Sequence, residues 1–90
     1  MKLRWGFIGA GWIAATALAP AVHKTANASL HAVASGDPDR SRLLEPIKIH
    51  SSYQDLIDDP EIDAVYISLP NHLHSQWSIK ALNAGKNVLC

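Results

Sequence analysis

The sequence has one cysteine in ninety residues, Cys90. An internal disulfide is excluded, and the chain suits a reducing compartment, with the cytoplasm as the expected location. Net charge is lacking too: eight Lys and Arg balance eight Asp and Glu. There is no basic run and no acidic tail, so electrostatics offer nothing to a nucleic acid or a membrane surface. No apolar run approaches the roughly 18 residues of a membrane-spanning helix. The first predicted strand begins within a few residues of Met1, which leaves no space for a signal peptide. Metal ligands at a recognisable spacing are also lacking: His23, His31 and His50 have no partners at such intervals, and no metal site is expected. Aromatic residues make up only 7% of the chain against 48% hydrophobic overall, an ordinary globular balance. Ninety residues make one domain at most, with a modest core.

What is present is an alternation of apolar runs and helical patterns. Residues 3–8 read as a strand that ends at Gly9. The Ala-rich stretch 12–18 suits a helix, and Pro20 predicts a break near Ala19 with a second short turn over 20–24. A second strand spans 29–35 and turns at Gly36. Asp37 is a candidate N-cap for a short helix with Pro38 at its first position, and Pro46 ends that helix. Residues 47–50 are a short third strand, and Ser51 or Ser52 caps the turn Y-Q-D-L-I-D-D. The stretch 63–69 is nearly continuous apolar sequence, as in a strand buried on both faces. A helix is predicted over 73–84, with Leu73, Trp77, Ala81 and Ala84 on one face, Trp77 read as core, and Gly85 as its stop. Residues 87–90 begin a fifth strand. This order predicts an α/β fold: a parallel sheet with right-handed crossovers.

Gly9, Gly11 and Ala14 form a G-x-G-x-x-A pattern between the first strand and the first helix. In a dinucleotide site the first glycine allows the tight turn, the second admits the pyrophosphate and the third small residue lets helix pack on strand. The competing reading is a plain strand–helix corner; the alternating elements that follow favour dinucleotide binding. At the end of the second strand an acid would hold the adenosine ribose, but Ser35 stands there. Its hydroxyl and the Arg40 guanidinium suit a 2′-phosphate, which favours NADP over NAD. Asp37 is the counter-argument: it can reach a ribose, or simply cap the helix at Pro38. Pro70 and Asn71 follow the fourth strand, at the end where open α/β sheets bind ligands. His74 is read either as a site residue or as a packed helix-end histidine, and His72 as solvent-facing.

Six stretches together carry a resemblance: G-F-I-G-A-G-W-I-A (6–14), A-V-A-S-G (32–36), S-S-Y-Q-D-L (51–56), D-P-E-I-D-A-V-Y-I (59–67), P-N-H-L-H (70–74) and K-A-L-N-A-G-K-N-V-L-C (80–90). The chain resembles, over essentially its whole length, the N-terminal domain of the Gfo/Idh/MocA oxidoreductases, which include glucose-fructose oxidoreductase and inositol 2-dehydrogenase. The resemblance implies a Rossmann-type sheet of order 3-2-1-4-5 and hydride transfer between a nicotinamide and a hydroxyl-bearing carbon of a sugar or cyclitol. It implies that Gly9, Gly11, Trp12 and Ile13 line the pyrophosphate. Ser35, Gly36 and Arg40 would surround the adenosine ribose, and Leu69, Pro70, Asn71 and His74 the nicotinamide half.

Two departures qualify the match. The region between Ser35 and Tyr53 is shorter than in the family by about a turn of helix. The family's E-K-P motif, whose lysine polarises the substrate oxygen, falls directly after Cys90. Residues 1–90 are therefore expected to be a partial NAD(P)-binding domain, truncated before the final strand and the substrate domain, with no catalytic residue of its own. An unpaired apolar edge at the last strand would invite self-association into a homo-oligomer. The alternatives are a non-catalytic dinucleotide-binding regulator of the same family, a different Rossmann reductase, and a Rossmann-shaped interaction module that binds nothing.

Overall fold

Five parallel strands build the chain's computed structural model, which describes residues 2–89. They are β1 (Leu3–Ile8), β2 (Ala28–Ala34), β3 (Lys48–Ile49), β4 (Ala64–Ile67) and β5 (Asn87–Leu89), in the order β3-β2-β1-β4-β5. This is the Rossmann-type order that the sequence predicts. Four α-helices connect them: α1 (Ala19–Lys24), α2 (Pro38–Leu43), α3 (Tyr53–Ile57) and α4 (Asn71–Asn83). The part of the fifth strand expected at Cys90 lies outside the described residues.

The sheet is buried on both faces because successive strand side chains point to opposite sides. One face packs Ile8, Ala34, Val65 and Ile67 against Leu56 and Ile57 of α3 and Ala81 of α4. The other packs Phe7, Leu30 and Val33 against Ala14, Ala19 and Leu44. Each fully buried Ile, Leu, Val or Phe contributes about 1.5–3 kcal/mol, so these two layers hold the fold. At the amino end of the strands the Arg4 guanidinium grips Asp63 through two bonds, of 3.1 and 3.0 Å, and ties β1 to the start of β4. The opposite end, where β1, β2 and β4 terminate, is left open.

Several boundaries differ from the sequence expectation, each for a local reason. Residues 12–24 are helical without the break expected near Ala19. Pro20 has no N–H, and in a regular α-helix its ring would press on the carbonyl of Thr16. A π-helical stretch at Ala14–Leu18 widens the turn instead, and the Ala19 N–H reaches back five residues to the Ala14 carbonyl. α2 stops at Leu43, before Pro46, because Glu45 takes a left-handed conformation with φ of 57°. Ser52, not Ser51, caps α3 by accepting from the Asp55 amide at 3.1 Å. α4 begins at Asn71, two residues before the expected start, with Pro70 as its N-cap. Ala84 is exposed rather than part of the buried face, which Ala81 closes. The second βα unit is short, with six residues in α2 and two in β3. No helix among the described residues is long and apolar enough to cross a membrane.

Candidate cofactor-binding site

β1 ends at Ile8, paired with Ala34 of β2 on one side and Ile67 of β4 on the other. The chain then has to leave the sheet between two neighbours. Gly9 keeps one more ladder bond, from its amide to the Ala34 carbonyl at 2.7 Å, and turns with φ of 91°. A Cβ there would come within 2.4 Å of the Ser68 carbonyl oxygen, so the turn needs glycine for space as well as for conformation. A Cβ on Gly11 would come within 2.5 Å of Ser68 Oγ. Ser68 is itself pinned to β1 by its amide, which donates to the Ile8 carbonyl at 2.8 Å. The glycine turn thus rests directly on the end of β4.

The first helix begins immediately beyond this turn. Its first intrahelical bond near the turn runs from the Ala15 amide to the Gly11 carbonyl, at 3.0 Å. The amides of Trp12, Ile13 and Ala14 precede that bond, and a helix start presents such N–H groups to anions. The side chains of Trp12 and Ile13 are exposed, 72% and 51%.

A cavity of about 310 Å³ lies over these strand ends. Its lining unites Gly9, Gly11, Ser35, Gly36, Arg40 and Leu69 from the sequence-predicted site, and adds Ala10, Asp37, Tyr53 and Ser68. Trp12, Ile13, Pro70, Asn71 and His74 are outside this lining. Pro70, Asn71 and His74 follow Leu69 directly, at the start of α4, where the Pro70 carbonyl accepts from the His74 amide at 3.2 Å. Sequence reasoning did not place Ser68 or Tyr53 here. The signal for Ser68 is register: once Ile8 pairs with Ile67, the residue that follows β4 meets the glycine turn.

Ser35 and Asp37 shape the rim. Ser35 Oγ lies 2.6 Å from Ser41 Oγ and 2.8 Å from the Asp37 carbonyl oxygen, and accepts from the Asp37 amide at 3.2 Å. Ser41 is fully buried. The Ser35 hydroxyl is thus committed to its own loop. Asp37 caps α2 through one carboxylate oxygen, Oδ1, which accepts from the Asp39 amide at 3.0 Å. Both readings of Asp37 therefore meet in one residue, a cap that also lines the cavity. Arg40 is exposed one turn further along, where its guanidinium can swing over the opening.

The histidines fall elsewhere. The ladder pairs Trp5 with Leu30 and Gly6 with Ala32, which leaves His31 as the extra residue of a β-bulge. His31 Nε2 is buried without a hydrogen bond, 3.6 Å from Asp59 Oδ2 and 3.3 Å from Glu61 Oε2. His50 Nε2 and Lys48 Nζ both sit 2.8 Å from that same Asp59 oxygen. Among the described residues no group of three His, Cys, Asp or Glu side chains could hold a metal ion. His23 meets the Leu44 carbonyl oxygen at 2.8 Å, on the opposite face of the sheet.

An apolar hollow of about 330 Å³ lies under Trp5, Leu18, Val22, Tyr66 and Leu89. It has little to hold phosphate: no charged side chain lines it. The cavity at the strand ends combines a glycine turn, hydroxyls, a carboxylate and a guanidinium, and the first helix starts immediately beyond it. That set matches the pyrophosphate and ribose of a dinucleotide, and the open space above Gly36, with nothing within 4 Å of where a Cβ would sit, leaves it room.

Comparison with known proteins agrees with this fold. An uncharacterised oxidoreductase of Rhizobium meliloti is 42% identical over 98% of this chain and 28% of its own length. A dTDP-3,4-didehydro-2,6-dideoxy-alpha-D-glucose 3-reductase of Saccharopolyspora spinosa is 38% identical over 97% of this chain and 27% of its own. A 3-ketoreductase from Actinomadura kijaniata, solved with NADP and TDP-benzene, superposes with a TM-score of 0.90 at 33% identity, over 99% of this chain and 28% of that one. The chain thus spans a little over a quarter of the length of the relatives it matches. The profile of the Gfo/Idh/MocA oxidoreductase family, NAD-binding Rossmann fold, matches residues 3–90, and the chain belongs to that family.

Proposed function

We propose that this chain is the dinucleotide-binding part of an NAD(P)-dependent oxidoreductase that interconverts hydroxyl and carbonyl groups on a sugar or cyclitol. The observation that carries the reading is the cavity over the strand ends, bounded by Gly9, Gly11, Ser35, Arg40 and Leu69. The pyrophosphate would rest on the glycine turn and the amides of Trp12 and Ile13. Gly36 and Asp37 would meet the adenosine ribose, and Leu69, Pro70, Asn71 and His74 the nicotinamide half. The cofactor supplies the hydride when bound; this chain's residues hold and orient it.

NADP is the preferred form in this reading. With Ser35 Oγ already committed to Ser41 and Asp37, the 2′-phosphate falls to Arg40, whose planar fork suits a phosphate. The family resemblance would place a catalytic lysine after Cys90 and a substrate domain beyond it, and no step is assigned to either. The working location is the cytoplasm. The chain also self-associates through the free edge of β5, with no nucleic acid or membrane as partner. Titration with NADPH and NADH, followed by nucleotide fluorescence, tests the binding assignment: saturable binding is expected, and no response to either nucleotide would refute it.

A further inference from the structure

Tyr53 is the one aromatic residue among those lining the cavity over the strand ends. It also lines a second hollow of about 330 Å³, which shares Ser35, Gly36 and Tyr53 with the first. The two hollows therefore adjoin along the loop after β2, with the tyrosine between them. Tyr53 is fixed there twice. Its backbone is the first residue of α3, set by the Ser52 cap. Its ring meets Trp77 of α4 edge to face, at 5.2 Å between centroids and 86° between planes. Trp77 also carries Lys80 over its ring, with Nζ 4.4 Å from the centroid.

We infer that Tyr53 is the platform on which the purine of the bound dinucleotide stacks, with Trp77 as its positioning residue. The inference rests on the cavity being a dinucleotide site, and it deepens that reading by naming a recognition residue. The direction follows from the residues already placed. Arg40 and Asp37 stand at the β2 side of the pyrophosphate turn, so the adenosine half extends towards β2, and Tyr53 is the π surface there. An aromatic ring held edge-on by a neighbour keeps its orientation at little entropic cost, which is what a stacking surface requires. Beyond it, Ser52 and Gln54 line the second hollow, the Ser52 hydroxyl capping α3 and the Gln54 amide donating to Asp58 Oδ1 at 3.0 Å.

The chain contains two tyrosines, Tyr53 and Tyr66, which makes a direct test available. In protein whose only protonated rings are tyrosine, nuclear Overhauser contacts are recorded from tyrosine to bound NADPH. The expected result is contacts to the purine H2 and H8 in the wild-type chain and in Tyr66→Phe. They vanish in Tyr53→Phe, which still binds NADPH within about twofold. Tyr53→Leu, which removes the π surface, binds about tenfold more weakly. Bound NADPH with no tyrosine contact to the purine, or with contacts to the nicotinamide ring instead, overturns the assignment of Tyr53 alone. A wild-type chain that binds no NADPH overturns the dinucleotide reading beneath it.

Discussion

At the residue scale, the most consequential side chain away from the cavity is Asp59. It is 6% exposed and receives Lys48, His50 and the Glu61 amide. Burial pushes its carboxyl pKa up, but hydrogen bonds from Lys48, the Glu61 amide and His50 outweigh that and hold it well below the usual carboxylate range. A carboxyl with a depressed folded pKa gives stability that is fully present above its unfolded value of about 3.9 and is lost as pH falls towards the folded one. Asp59→Asn is therefore expected to cost about 2 kcal/mol at neutral pH. Urea melts from pH 7 down to pH 2 should show the wild-type advantage shrinking with acid; an unchanged difference would count against this role. The sequence displays Asp59 only as the first letter of D-P-E-I-D. Its partners were illegible there because they depend on register: His31 arrives through a bulge that no spacing rule reveals, and Lys48 and His50 flank a two-residue strand.

At the scale of elements, punctuation by Gly and Pro made most of the fold readable. β1 ends just before Gly9, α2 begins at Pro38 behind the Asp37 cap, and Gly85 follows the end of α4 with φ of 81°. Pro20 misled because tertiary packing overrides local preference. Ala14 and Ala19 are both buried against the sheet, and the helix keeps that seam by widening to a π turn rather than breaking. Ser35 shows the same limit: its position at the end of β2 was legible, whereas its commitment to Ser41 required the helix to fold back over the loop. The Asp37 cap gives an element-scale prediction. Asp37→Ala should lower stability by about 1 kcal/mol in thermal or urea melts, while Asp37→Asn, which can still accept from the Asp39 amide, should lie within a few tenths of the wild type. Equal losses in the two variants would show that the cap contributes nothing.

At the scale of the whole molecule, the two faces of the sheet are unequally covered. α3 and α4 close one face, whereas the hollow beside Trp5, Tyr66 and Leu89 stays open on the other. β5 pairs only with β4, its outer edge carries no partner among the described residues, and Leu89 is 48% exposed. Such an edge pairs readily with a second copy. Sedimentation velocity at rising concentration should show reversible dimerisation, and Leu89→Lys should suppress it. A strictly monomeric wild-type chain at high concentration would refute edge pairing. Topology was legible at this scale because buried parallel strands announce themselves as apolar runs, 63–69 above all. The union of Ser68, Tyr53 and Asp37 in one cavity was not, since three separate loops must converge before it exists.

A dinucleotide in the cavity over the strand ends, with Arg40 reading its 2′-phosphate, is the proposal on which the rest depends. Arg40 is exposed, so replacing it leaves the core untouched. The most direct measurement is the dissociation constant of NADPH and of NADH for the wild-type chain and for Arg40→Gln. Tighter NADPH binding is expected in the wild type, and in Arg40→Gln a loss of about tenfold for NADPH with NADH little changed, the scale of one charge-assisted contact. A wild-type chain that binds neither nucleotide, or an Arg40→Gln variant that weakens both equally, would contradict it.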